Sequence, residues 1–186
     1  MKIFLYNCIF LILLPFMVVR IFIKSFSDKD YLKGFPNRFG FYKVKPKDNL
    51  IWFHAVSLGE VISSKAIVKK ILNDNNVVLT VSTPTGLREA KKIYQEELVV
   101  VYAPWDFDLF VRNFISTFRP IALILFETEI WPSTIHLTSK KNIPSILSNA
   151  RLSKSSYKKY HNFRLFTKDI FRKISLILAQ SEEHVI

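Results

Sequence analysis

From residue 50 onward, short β-branched or apolar runs alternate with longer stretches of helical spacing, and this alternation limits the possible folds more than any other feature. The runs are Leu50 to Phe53, Val77 to Ser82, Leu98 to Tyr102, Ile121 to Phe126, Pro144 to Leu147 and Ser175 to Ala179. Between them, Val61, Ile62, Ala66, Ile71 and Leu72 fall on one helical stripe, and Phe107, Phe110, Val111, Phe114 and Phe118 on another. Strands that read as continuous apolar runs are covered on both faces. The pattern therefore predicts an α/β fold, a Rossmann-like parallel sheet with helices on both faces.

Each run is followed by a polar or turn-forming cluster: HAVSLGE, STPTG, APWD, ETEIWP, SNARLS and AQSEE. In an open α/β sheet these follow the carboxyl ends of the strands, the edge where ligands bind. Every strand-to-helix loop also needs turn residues, so each cluster carries a structural reading beside the functional one. Ser57 and Glu60 have the S-x-x-E spacing of a capping box, and on spacing alone the cap is favoured. An acid at the mouth of a sheet is nonetheless a candidate base. Gly59 is an ordinary turn glycine. Thr83, Thr85 and Gly86 cradle an anion at a helix start or simply form a turn and cap.

Glu127 and Glu129 directly follow a buried run, where desolvation raises a carboxyl pKa. If that strand continues through Thr128, both carboxylates share one face. Otherwise they supply negative charge to the start of the helix that Pro132 opens. Trp131 reads as core or rim packing ahead of sugar stacking. Arg151, beyond an Asn149-Ala150 turn, grips a phosphate or pairs with a surface acid.

Residues Ile3 to Val19 carry no charge and are apolar except for Tyr6 and Asn7, and as a helix they extend roughly 25 Å. A membrane anchor over 1–24 is expected. A signal peptide and a helix lying in the membrane interface are the competing readings. Arg20, Lys24, Lys29, Lys33 and Arg38 follow the run, which places the rest of the chain on the cytoplasmic side. Residues 25–49 read as a polar linker and 50–186 as the folded domain.

With 27 Lys and Arg against 15 Asp and Glu, the chain of 186 residues has a net charge of +12, which suits an anionic partner. The basic run Tyr157-Lys158-Lys159-Tyr160 fits a membrane surface as well as a nucleic acid, and no nucleic-acid partner is expected. There is no G-x-x-x-x-G-K-[ST] or G-x-G-x-x-G signature among only four glycines. A single cysteine, Cys8, and histidines 54, 136, 161 and 184 at unrelated spacings give no metal-ligand pattern.

Read together, His54-Ala55-Val56-Ser57-Leu58-Gly59-Glu60, Phe126-Glu127-Thr128-Glu129-Ile130-Trp131-Pro132 and Asn149-Ala150-Arg151-Leu152-Ser153 closely resemble the 3-deoxy-D-manno-octulosonic acid (Kdo) transferases of lipopolysaccharide synthesis. Asn37-Arg38-Phe39-Gly40-Phe41-Tyr42 and Ala179-Gln180-Ser181-Glu182-Glu183 extend the resemblance over nearly the whole chain. Ala103 before Pro104, and Ser133 where asparagine is common, are modest departures.

The resemblance implies the N-terminal half of a GT-B glycosyltransferase, in which two Rossmann-like domains face one cleft. It implies a metal-independent reaction without cofactor, with CMP-Kdo as donor and lipid A precursor as acceptor at the inner membrane. By the same resemblance Glu60 is the catalytic base and Glu127 the transition-state stabiliser. Ser57, Gly59, Thr83, Thr85, Gly86, Glu129 and Arg151 are expected on the acceptor side. A C-terminal donor domain is expected to be absent from this chain, with a separate C-terminal half as a possible partner. A non-catalytic membrane-anchored lipid-binding module and a different GT-B lipid glycosyltransferase are the alternative functions.

Overall fold

The computed structural model describes residues 2–45, 47–128, 130–151 and 164–180. Six parallel strands form one sheet: β1 Leu50–His54, β2 Asn76–Val81, β3 Val99–Tyr102, β4 Ala122–Phe126, β5 Ser145–Ala150 and β6 Leu176–Ala179. Their spatial order is β3-β2-β1-β4-β5-β6. This is the doubly wound Rossmann order, whose direction reverses between β1 and β4.

Neighbouring residues on β1 show why the strands read as unbroken apolar runs. Trp52 enters the core on one face with Phe114, Leu123, Ile135 and Leu147. Phe53 enters the core on the other with Val61, Leu79, Leu87 and Phe126. Helices α2 Leu58–Ser63, α3 Lys65–Ile71 and α4 Pro84–Tyr94 cover the Phe53 face. Helices α5 Asp108–Phe118, α6 Pro132–Lys140 and α7 Arg164–Phe171 cover the Trp52 face. Thr80 of β2 fixes the end of β1, because its Oγ1 accepts the Trp52 indole N–H at 2.8 Å and lies 2.7 Å from His54 Nδ1.

Two local expectations differ from the structure. β4 stops at Phe126, since Glu127 has φ of 62° and turns the chain out of the strand, so the shared face for Glu127 and Glu129 is not formed by strand continuation. The Asn149-Ala150 segment is not a turn but the end of β5. Asn149 there adopts φ of 57°, and the pairing with β6 shifts register between Leu147 and Ala150.

The N-terminal run forms α1, Lys2–Ser25, which is long and apolar enough to cross a membrane. It lies along the domain and touches it from end to end. Lys2 Nζ is 2.7 Å from Asp169 of α7, Tyr6 donates its hydroxyl to Asp106 at 2.9 Å, and Asn7 donates to Asp108 at 3.0 Å. Further along, Phe10 stacks on Phe107, Ile21 packs with Trp105 and Phe110, and Phe22 meets Phe35. The opposite face, with Phe4, Ile12, Phe16 and Ile23, is exposed.

Part of the segment expected as a linker packs on the domain. It forms two short 3-10 helices, Lys29–Tyr31 and Phe35–Phe39, and buries Arg38. Gly40 explains how the second one reaches α5. With φ of 80°, a Cβ at this position would lie 2.2 Å from the Phe110 carbonyl oxygen, so only glycine permits the approach.

Candidate functional site

The crevice outside β1 and β4 is the switch point of the sheet, and Glu60 and Glu127, two of the acids singled out from the sequence, stand at its mouth. Ser57 is the N-cap of α2, and its Oγ receives the Glu60 backbone N–H. In return the Glu60 carboxylate accepts the Val56 N–H at 2.8 Å and the Ser57 hydroxyl at 2.8 Å. Capping geometry and site geometry are thus the same contacts. Glu60 is buried, and burial pushes its carboxyl pKa up. The donors from Val56 and Ser57 oppose this rise, while the negative charge of Glu127 adds to it.

Glu127 enters the crevice from β4. Its backbone N–H donates to Ser148 of β5 at 2.9 Å, which holds the left-handed residue in place. A non-glycine residue kept in that conformation costs energy and is often found at functional sites. Beside it, the Arg151 N–H donates to Thr128 Oγ1 at 2.8 Å, and the Thr128 hydroxyl returns a short bond to the Arg151 carbonyl. This latch ties the tip of β5 to the Glu127 loop and leaves the Arg151 side chain exposed on the same rim.

The STPTG cluster meets the Glu60 loop through backbone contact. Thr83 caps α4, accepting the Gly86 N–H at 3.1 Å, and Thr85 Oγ1 lies 3.3 Å from Thr83 Oγ1. A Cβ on Gly86 would lie 3.3 Å from the Ser57 carbonyl carbon and 3.4 Å from the Leu58 nitrogen. Gly86 therefore lets the starts of α2 and α4 touch. Gly59 has no such role, as the nearest atom to a Cβ there is 4.0 Å away. Glu129 lies outside the described residues.

The amides at the start of α6 are taken by an aspartate. Asp106, from the β3 loop, accepts the Ser133 N–H at 3.0 Å, the Thr134 N–H at 2.8 Å and the Thr134 hydroxyl at 2.7 Å. With the Tyr6 hydroxyl added, one buried carboxylate joins α1, β3 and α6. Nothing in APWD distinguishes it from a turn, and its partners lie far away in sequence. His54 is a packing residue: burial lowers its pKa to about 4, and Trp131 packs edge-on against its ring at 5.0 Å.

Fold and site together define a doubly wound α/β domain with two carboxylates at its switch point and an apolar helix along one flank, suited to acid–base chemistry on a ligand held at the sheet edge. The sequence model for the family described as 3-deoxy-D-manno-octulosonic-acid transferase (kdotransferase) matches residues 33–185. The chain belongs to this family. It is 32% identical over 182 residues to the 3-deoxy-D-manno-octulosonic acid transferase of Haemophilus influenzae, a match covering 95% of this chain and 43% of that protein. The corresponding transferase of Rickettsia bellii is 31% identical, over 96% of this chain and 43% of its own length. A bifunctional glycosyltransferase/methyltransferase of Fusobacterium nucleatum is also 31% identical, over 90% of this chain and 26% of its own length. The chain thus spans less than half the length of these relatives.

Proposed function

We propose that this domain is the acceptor half of a Kdo transferase that moves the sugar from CMP-Kdo to a hydroxyl of lipid A precursor, with Glu60 as the base. The observation that carries this reading is the pairing of Glu60 with Glu127 across the switch point of a domain in this family. In the proposed step the acceptor oxygen bonds to the anomeric carbon of Kdo while the bond from that carbon to the CMP phosphate oxygen breaks. The electron pair leaves with CMP, and the acceptor proton passes to Glu60.

A carboxylate with a raised pKa is, once ionised, a stronger base than an ordinary one. The negative charge of Glu127 favours the positive charge that develops at the anomeric centre. Ser57, Thr83, Thr85, Gly86 and Arg151 border the crevice on the acceptor side. The donor nucleotide is assigned to groups outside this domain, and the reaction to a route without metal or cofactor, both on the family resemblance.

The protein is proposed to work at the cytoplasmic face of the inner membrane, with the exposed apolar face of α1 in the acyl layer. Contacts from Lys2 at one end and Phe22 near the other favour a helix seated in the membrane plane. The test of function is incubation of the full-length protein with labelled CMP-Kdo and lipid A precursor in mixed micelles. Labelled lipid product is expected. Transfer from another nucleotide sugar, with none from CMP-Kdo, would contradict the assignment.

A further inference from the structure

Arg38 is only 3% exposed and forms no ion pair among the described residues. Its guanidinium lies 4.3 Å from the Tyr102 ring centroid and makes one long contact of 3.5 Å, from Nη2 to the Ser82 carbonyl. Nε has no hydrogen-bond partner among the described residues. A buried cation so poorly compensated is costly unless an anion completes it.

Arg38 also borders a cavity of about 340 Å³ between α1 and the sheet rim. Arg20 and Lys24 of α1 line the same cavity, one helical turn apart, as do Thr83 and Trp131. The Trp131 indole N–H, too, is buried without a partner among the described residues. The one carboxylate on the wall among the described residues, Asp106, already accepts from Tyr6, Ser133 and Thr134. Among the described residues, three cations and an unpartnered indole donor surround a space whose only acid is engaged elsewhere.

We propose that this cavity is an anion site for a phosphate monoester on the headgroup of the lipid acceptor, gripped by Arg38 and closed from the membrane side by Arg20 and Lys24. The proposal rests on the acceptor reading above and adds to it a place for the phosphate. Guanidinium matches phosphate oxygens in a two-pronged geometry that an ammonium cannot reproduce. Arg20 is both exposed and on the cavity wall, so the site opens at the edge of α1, where a lipid whose chains contact the exposed apolar face would present its headgroup. Thr83, shared between the cavity and the start of α4, links the site to the Glu60 crevice.

The experiment measures binding of the full-length protein to mixed micelles carrying lipid A precursor, or the same lipid after phosphatase treatment, with inorganic phosphate as competitor. Wild type is expected to prefer the phosphorylated lipid by about tenfold or more, the scale of a lost charged hydrogen bond. Arg20→Gln, at an exposed position that leaves folding intact, and Arg38→Lys should each reduce that preference. Affinity for the dephosphorylated lipid should stay unchanged. An undiminished preference in both variants, or none in wild type, would overturn the site. Complete displacement of the lipid by millimolar inorganic phosphate would overturn its assignment to a headgroup. Kdo transfer assayed on the same preparations separates the two readings: normal transfer with unchanged preference removes the site and keeps the function, whereas phosphate-dependent binding without transfer from CMP-Kdo does the reverse.

Discussion

Ser57 and Glu60 hold each other in both directions: the serine hydroxyl donates to Glu60 Oε1 at 2.8 Å and accepts the Glu60 backbone N–H at 3.5 Å. A cap that starts a helix is also a device that fixes the rotamer of a buried acid at the crevice. With Glu60 as the proposed base, the structural and chemical readings of S-x-x-E are one arrangement, and substitutions at either residue should affect both stability and chemistry.

The raised pKa of Glu60 sets the expected pH dependence. A base acts when ionised, so the acid limb of kcat/KM should lie above the usual glutamate range. Because the charge of Glu127 contributes to the rise, Glu127→Gln should move this limb to lower pH while slowing turnover. For stability the sign is also fixed. The folded form holds the Glu60 proton to higher pH than the unfolded chain, so this group lowers stability as pH rises from the unfolded pKa through the folded one. Rate profiles of the two proteins check the first point, and an unmoved limb in Glu127→Gln would contradict it.

Gly86 and Gly59 should respond oppositely to the same methyl group. At Gly86 the added Cβ meets Thr83 Oγ1 at 3.0 Å and the Ser57 backbone at 3.3 Å, so Gly86→Ala should destabilise by about 1–3 kcal/mol and disturb the Glu60 loop. At Gly59, inside α2 and open to solvent, alanine should be neutral or stabilising by about 0.4–1 kcal/mol. Thermal unfolding of the two variants checks the contrast, and equal effects would contradict it.

A helix seated in the membrane plane puts both of its ends on one side of the bilayer. The 24 residues of α1 cover about 36 Å, yet Lys2 and Phe22 both contact the domain side. A protease-cleavable tag before Met1 should therefore be cut from the same face of sealed inverted vesicles as the domain itself. Protection of the tag under conditions that digest the domain would show a spanning helix.

Loss of the Asp106 carboxylate should loosen three elements together. Asp106→Ala leaves the buried Ser133 and Thr134 N–H groups without acceptors, at about 1–3 kcal/mol per orphaned donor. Tyr6 loses its partner in the same change, so proteolytic release of α1 should accompany the fall in thermal stability. A stable variant with α1 still protected would contradict this role.

The sheet was legible in the sequence because parallel strands covered on both faces leave unbroken runs such as Ile121 to Phe126 and Val77 to Ser82. The cap formed by Ser57 and Glu60 was legible because S-x-x-E spacing brings the two side chains together at a helix start. Arg38 was not, since on a basic flank it looks like another surface charge, and its burial depends on a 3-10 helix ended by Gly40 and packed against α5. The signal was present in the two positive-φ glycines, Gly34 and Gly40, which bracket an aromatic segment that a free linker would not need. Asp106 was hidden for another reason: Tyr6 lies 100 residues away and Thr134 28 residues away, so only the fold assembles its site.

The most direct test of Glu60 as the base is Kdo transfer by full-length Glu60→Gln, measured as rate and acceptor affinity on protein whose folding has been checked by thermal unfolding. Transfer should fall by on the order of 10²- to 10⁴-fold with acceptor binding retained. The weakened cap should cost only about 0.5–2 kcal/mol of stability. A folded Glu60→Gln protein that transfers Kdo at the wild-type rate would remove Glu60 from the chemistry.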